Sequence, residues 1–215
     1  MTPTLQPTRT PIGAGAHLSP EEGFCLMEAV SLYAHQPWSD SPACTHPLVA
    51  HVARLVNDMS SQTGRRPLLE YVPVLAHSHT DDPTAFPRIA AACTLVALRH
   101  RPTLALTWHH RVAMWRLAEG HAHIGPRNAA DSAGDATPQR LDAIAWRRLY
   151  ARGPAFRAVE AAVSVTQKLA PEHRDSVLRR LLEAALAQAA GDGWADTAHA
   201  TNATAHQNPC RARAR

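Results

Sequence analysis

Apolar residues recur along most of this chain at intervals of three and four, the spacing that places side chains on one face of an α-helix. The pattern predicts helices over about 20–34, 47–59, 84–100, 104–119, 138–152, 155–169 and 172–190, with a shorter helical piece after Pro67. We therefore expect an all-α fold, a single irregular bundle of about seven or eight helices with flexible termini.

The first of these helices has the clearest predicted start. Ser19 fits an N-cap, Pro20 the first helical position, and Glu22 lies three residues after the cap, as in a capping box. Apolar side chains then surround the helix axis almost completely, which predicts a central helix: Phe24, Leu26, Met27, Val30, Leu32 and Tyr33. Glu28 falls among them, so its carboxylate should be buried and needs a donor, a cation or a proton.

A turn rich in proline follows over residues 36–47 and cannot continue the helix. This turn should bring Asp40 and Cys44 near the end of the first helix. The second helix, from about Pro47, carries Arg54, Asn57 and Asp58 towards its end.

Composition agrees with the helical pattern and limits the chain to one domain. Of 215 residues, 45% are hydrophobic and 19% are charged, which are values typical of a globular protein. Alanine is frequent while valine, isoleucine and the aromatic residues are sparse, which favours helices over sheet. We expect a flexible arm over 1–16, a helical domain over 17–190 and a disordered basic tail over 191–215.

Charge and cysteine usage indicate a compartment more than a partner. The formal net charge is +4, supplied by arginine except for Lys168, and this alone is weak evidence for nucleic-acid binding. The cysteines lack the CxxC pairs or density of a disulfide scaffold: Cys25, Cys44, Cys93 and Cys210. With no signal peptide and no apolar run of membrane-spanning length, we expect a cytoplasmic protein with reduced thiols and no membrane partner.

Residues 17 to about 75 resemble an uncharacterised protein family of actinobacteria and their phages. The resemblance consists of a His before a capped helix with Cys, Met, Glu and Ala, a Trp-Ser-Asp-x-Pro-x-Cys turn, and a helix that ends in Asn-Asp. The matching residues are His17, Pro20, Gly23, Cys25, Met27, Glu28, Ala29, Val30, Pro37, Trp38, Ser39, Asp40, Pro42, Cys44, Pro47, Arg54, Asn57 and Asp58, with Leu69, Val72 and Pro73 less specific. The family implies no activity, and the sequence has HSHT where it would carry Gly-Thr-Arg.

The first candidate site combines His17, Glu28, Asp40 and Cys44, with Cys25 and His46 nearby in sequence. Nitrogen, oxygen and sulfur ligands of this kind suit zinc or iron. A related hypothesis makes Glu28, His17 and Asp40 catalytic acid–base residues. The alternative is structural: Asp40 caps a turn, Glu28 accepts a hydrogen bond from Arg54 or His17, and the thiols lie in the core.

Two histidine-rich stretches are weaker candidates. His77 and His79 precede Asp81 and Asp82 in an HxHxD pattern typical of metallo-β-lactamases, but Asp82 stands where the next His is needed, which favours a solvated loop. A second set lies further along the chain: His109, His110, His121 and His123. Adjacent histidines on a helix point about 100° apart, so scattered histidines are the better interpretation.

A basic helix over 138–152 is the candidate for nucleic-acid binding. The arginines of this helix are Arg140, Arg147, Arg148 and Arg152. Together with Trp146 and the arginines of the C-terminal tail, they could bind the phosphates and bases of a nucleic acid. Trp146 lies near Leu149 and Ala143 on the helix, which favours a core position instead.

No phosphate-binding loop, dinucleotide fingerprint or nucleophilic triad is recognisable. The leading hypothesis is a small cytosolic helical accessory or regulatory protein that acts through protein contacts, either with another protein or as a homodimer through its C-terminal helical hairpin. The alternatives are an enzyme, metal-assisted or acid–base, at the Glu28 site, and nucleic-acid binding through 138–152 and the tail.

Overall fold

The computed structural model describes residues 12–122, 149–151 and 153–190, and only the backbone of 120–122 and 190. The described part is all-α, as predicted, apart from one parallel bridge between Ile12 and Phe24. The helices are α1 (Leu26–Tyr33), α2 (Pro47–Met59), α3 (Gln62–Arg65), a 3₁₀ helix (Arg66–Tyr71), α4 (Val72–Leu75), α5 (Ala85–His100), α6 (Leu104–Ala122), α7 (Pro154–Thr166) and α8 (Pro171–Ala190). None of these helices has both the length and the apolar character needed to cross a bilayer.

The bundle is built around α5, against which α6, α7 and α8 all pack. The buried side chains of α5 are mostly small, so neighbouring helices can approach it closely: Ala85, Ala90, Ala91, Cys93, Thr94 and Ala97. Helix α1 is buried over residues 26–31, but Tyr33 is 42% exposed, and the helix contacts α2, α4 and the 3₁₀ helix. The prediction of a central helix is therefore wrong in position, and the predicted burial is confirmed only for residues 26–31.

The start of α1 also differs from the prediction. Cys25 is the N-cap, and its sulfur accepts a hydrogen bond from the Glu28 backbone N–H at 3.5 Å. Residues 19–22 form only a turn, in which the Glu22 N–H donates to the Ser19 carbonyl. A helix could not run through Gly23, whose φ is +136°, so the capping box moves to Cys25 and Glu28.

The flexible arm that composition assigned to 1–16 is corrected for residues 12–16. Ile12 is buried, and the Gly13 N–H donates to the Phe24 carbonyl at 2.9 Å. The Gly15 N–H donates to Asp58 Oδ1 at 2.7 Å. These residues form a strap across α1 and α2, while residues 1–11 and the tail 191–215 lie outside the described residues.

Most other boundaries match the sequence pattern. Helix α2 begins at Pro47 and α5 at Ala85, and the break at 153–154 separates α7 from the helical residues 149–151. Helix α6 continues through Gly120, which is not the predicted C-cap. The loop expected over 121–136 and the basic helix expected from 138 lie largely outside the described residues.

The apolar stripe of α8 faces inwards. Its side chains are almost completely inaccessible to solvent: Val177, Leu178, Leu181, Leu182 and Leu186. They fill the core against α5 and α2, so this stripe is not free to form the dimer contact that the hairpin pattern suggested.

Substitution of Leu181 by alanine should lower the free energy of unfolding by about 2–5 kcal/mol, because it leaves a cavity beside α5. The matched control is Leu104→Ala, since Leu104 is 92% exposed and should change stability by less than about 0.5 kcal/mol. Urea unfolding followed by circular dichroism measures both. Equal losses in the two variants would contradict the packing described here.

Candidate functional site

The carboxylate of Glu28 is the most completely enclosed charged group in the predicted site, with 1% of the residue exposed. Its Oε1 accepts a hydrogen bond from the His17 backbone N–H at 2.6 Å. Its Oε2 accepts one from the Cys25 backbone N–H at 2.7 Å and lies 2.9 Å from His17 Nδ1. These contacts supply the partners that a buried carboxylate requires. We call Glu28, His17 and Cys25 the carboxylate cluster.

Two further contacts restrain His17. The Trp38 indole N–H donates to the His17 carbonyl at 2.8 Å. Gly13 lies against the edge of the imidazole, because a Cβ at this glycine would be 2.7 Å from His17 Nε2. The ring is therefore held between the strap and α1.

The strap is joined to α2 by Asn57, which is fully buried. The Asn57 amide donates to the Gly13 carbonyl at 2.8 Å, and its oxygen accepts from the Leu26 N–H at 3.3 Å. The carboxylate cluster and Asn57 thus connect the strap, the start of α1 and the end of α2.

Asp40 and Cys44, the other proposed metal ligands, have different partners. Arg54 donates to the Asp40 carbonyl at 2.9 Å and lies 3.8 Å from its carboxylate. Cys44 is buried, and its carbonyl accepts from the His79 N–H at 3.1 Å. Throughout residues 12–122, 149–151 and 153–190, no three His, Cys, Asp or Glu side chains are grouped so that they could hold a metal ion. The structure brings His17 and Glu28 together but does not assemble the four-residue zinc or iron site.

The thiols present in the described residues are free and buried: Cys25, Cys44 and Cys93. Burial raises the pKa of Cys25 and of Cys93 to about 12, so both remain protonated at neutral pH. They are small core side chains rather than reactive nucleophiles.

The histidines of the HSH stretch also have structural partners. His77 Nδ1 lies 2.7 Å from the Pro73 carbonyl, and His79 Nε2 lies 3.3 Å from Asp81. Asp82 accepts from the Thr84 N–H and from Arg88, the latter at 2.6 Å. The stretch is a loop tied to α4 and α5, as its departure from the metal-binding pattern indicated.

His110 packs between helices, with Nδ1 at 3.1 Å from Thr94 Oγ1. Partial burial and the nearby Arg157 lower the pKa of His109. The side chains of His121 and His123 lie outside the described residues, as do those of Arg140, Arg147, Arg148 and Arg152. The nucleic-acid hypothesis for that helix therefore stays a prediction.

His46 is a buried polar residue whose role the sequence did not show. It is the N-cap of α2, where its Nδ1 accepts from the Leu48 N–H at 3.3 Å, and its ring packs on Phe86 with centroids 4.5 Å apart. Burial first, and then the charges of His79 and Arg88, lower the pKa of His46 to about 4, although Asp82 opposes this shift. A histidine directly before the first proline of a helix is the only sequence signal for it.

The second candidate lies on α6, which has two apolar faces. Leu106 and Ala113 are buried against the bundle, in which α6 packs on α5 and α7. Large side chains on the opposite side are exposed: Leu104 92%, Trp108 68%, Met114 48% and Trp115 54%. With Arg111, which is also exposed, these residues form what we call the outer face of α6.

The spacing of the outer face makes it a continuous stripe. Leu104, Trp108 and Trp115 are separated by one and then two helical turns, and with Arg111 they span about 60° of arc at about 100° per residue. Arg116 stacks on the Trp115 ring at 4.3 Å and pairs with Glu119 at 2.8 Å, which restrains the indole. Exposed apolar residues are normal when scattered, but a contiguous stripe indicates an interaction surface.

No protein-family model, curated protein or solved structure matches this chain. The resemblance of residues 17 to about 75 to a family of actinobacteria and their phages stays a prediction.

Replacement of Glu28 by glutamine should lower the free energy of unfolding by about 2–3 kcal/mol, because the amide group faces N–H donors and charge-assisted hydrogen bonds are lost. Glu22→Gln is the control, since Glu22 is exposed and accepts one long hydrogen bond from Leu18 at 3.3 Å. Thermal and urea unfolding of both variants measures the difference. An unchanged midpoint for Glu28→Gln would show that the carboxylate does not hold the strap.

Acidification should destabilise the protein through His46. Its folded-state pKa of about 4 lies below the ordinary value of 6.5, so the unfolded chain binds the proton more readily. The stabilisation from neutral His46 is therefore present above about pH 6.5 and is lost as the pH falls towards 4, up to about 3 kcal/mol.

The measurement is urea unfolding at several pH values between these limits. His46→Asn, which keeps an N-cap side chain, should flatten the pH dependence, whereas His173→Asn at an exposed position should leave it unchanged. The same slope in all three proteins would contradict the assignment to His46.

Proposed function

We propose that this protein is a small helical accessory or regulatory protein of the cytoplasm that acts through protein contacts, and that the outer face of α6 is its contact surface. The observation that supports the proposal most strongly is the exposure of Trp108 and Trp115 on one stripe. Tryptophan and arginine are the residues most enriched among those that dominate binding energy at protein interfaces.

The chemistry of the outer face fits a protein partner in other respects. Leu104 and Met114 add flexible apolar surface, and Arg111 lies between the two tryptophans, one turn from each. Helices α5 and α6 together contain one acidic residue, Glu119, and it is paired with Arg116. The surface is therefore apolar with a cationic centre, and acidic residues are depleted as in the core of an interface.

The alternative function is acid–base catalysis by His17, with Glu28 as its positioning residue. The observation in its favour is the contact between His17 Nδ1 and the buried carboxylate at 2.9 Å, an arrangement that orients an imidazole in many enzymes. Against it, Gly13 lies at the Nε2 edge where a substrate would bind, and Asp40 is paired with Arg54. The carboxylate cluster is better explained as a structural hydrogen-bond network that holds His17 against the start of α1.

Replacement of Trp108 by a photo-crosslinking phenylalanine derivative tests the contact surface in cells that produce the protein. We expect a discrete protein adduct, because this position lies at the centre of the proposed interface. Introduction of Trp115→Ala into the same chain should reduce the adduct by about tenfold or more, since loss of a dominant interface residue costs at least that much affinity.

The same photo-crosslinker at Tyr33 is the matched control, because Tyr33 is a 42% exposed aromatic residue on a different helix. An equal pattern of adducts from positions 33 and 108, or an adduct insensitive to Trp115→Ala, would overturn the proposed contact surface. An adduct of twice the chain mass would identify a second copy as the partner.

A further inference from the structure

The charge of the outer face of α6 restricts what can bind there, and this inference rests on the contact surface proposed above. Arg111 is exposed between Trp108 and Trp115, and within the described part of the chain its guanidinium has no carboxylate partner. A partner that covers the stripe must desolvate this cation. Desolvation is costly unless the partner supplies an opposite charge at the same place.

The surroundings of Arg111 on α5 and α6 supply no such charge. These helices and their connection carry five arginines: Arg88, Arg99, Arg101, Arg111 and Arg116. Arg99 and Arg101 are exposed, as Arg111 is. Glu119 is the only carboxylate of these helices and their connection, and it is bound by Arg116. Among the described residues, α5, α6 and their connection therefore offer Arg111 no counter-charge, which favours a partner that supplies one.

We propose that the outer face of α6 binds an acidic amphipathic helix of another protein. Its apolar side chains would cover Leu104, Trp108 and Trp115, while a carboxylate between them would pair with Arg111. An amphipathic helix laid against an apolar surface places anchors at three- and four-residue intervals. Leu104, Trp108 and Trp115 lie four and seven residues apart, which is one and then two helical turns along the same face.

Other occupants fit the charge less well. The segment 138–152 of the same chain would bring positive charge to Arg111. It carries four arginines and one aspartate: Arg140, Arg147, Arg148, Arg152 and Asp142. A symmetric contact between two copies through α6 would bring the Arg111 side chains of both copies into the same interface. Single-stranded nucleic acid could stack on the tryptophans, but Leu104 and Met114 offer no stacking and the stripe itself holds one cation.

The test uses the full-length protein and a fluorescein-labelled synthetic helix of about 18 residues, with leucine on one face and glutamate on the other. Fluorescence anisotropy should show saturable binding that weakens with salt. A matched peptide with lysine in place of glutamate should bind about tenfold more weakly or not at all.

Charge reversal at Arg111 keeps the test independent of folding. Arg111→Glu should weaken binding of the glutamate peptide by about tenfold or more and strengthen binding of the lysine peptide, a gain that an unfolded protein would not show. Arg180→Glu, the same change at an exposed position on α8, should alter neither affinity by more than about twofold.

Equal binding of the two peptides, or no response to Arg111→Glu, would overturn the acidic-helix proposal. Binding of a single-stranded oligonucleotide that Trp108→Ala abolishes, with no peptide binding, would also overturn it in favour of nucleic acid. If the photo-crosslink at position 108 still forms a protein adduct, the contact surface stands and only the nature of the partner is wrong. If that adduct is absent too, both proposals fail.

Discussion

Close packing around α5 is the constraint on which the rest of the structure depends. The small side chains Ala90, Ala91, Cys93 and Ala97 allow α6, α7 and α8 to surround this helix. The aliphatic side chains of α8 are buried in that core, and Leu106 and Ala113 bury one face of α6. The second apolar face of α6 is not covered by the other described helices, and Trp108 and Trp115 are more than half exposed.

The hydrogen bonds of the carboxylate cluster connect separate segments of the fold. His17 and Glu28 have the chemistry of an acid–base pair, yet the hydrogen bonds of Glu28 come from the strap and from the N-terminus of α1. Asn57 adds contacts from α2 to the same two segments. A buried, charge-assisted network of this kind fixes the path of the chain, which explains the density of polar residues in the first third of the sequence.

The sequence predicted the fold class, the starts of α2 and α5, and the burial of Glu28, because proline positions and helical periodicity report local geometry directly. It missed the start of α1, since a cysteine N-cap has no established signature and Ser19 with Pro20 offered a stronger one. It joined Asp40 and Cys44 to Glu28, although the turn directs Asp40 to Arg54.

The outer face of α6 could not be recognised from periodicity alone. A helix with apolar residues on two opposite faces has the same pattern as a fully buried helix, and only the number of neighbours in three dimensions separates the two cases. The same limitation made α1 look central. Whether Trp108 is buried or exposed depends on the positions of helices that lie elsewhere in the sequence.

Hydroxyl-radical footprinting of the protein in the cells that produce it, compared with the purified protein, measures whether a partner covers the outer face of α6. We expect Trp108, Met114 and Trp115 to oxidise readily in the purified protein and to be protected in cells, whereas Tyr33 should oxidise equally in both. Equal oxidation of the outer face of α6 in the two samples would contradict the claim that this face is a protein interface.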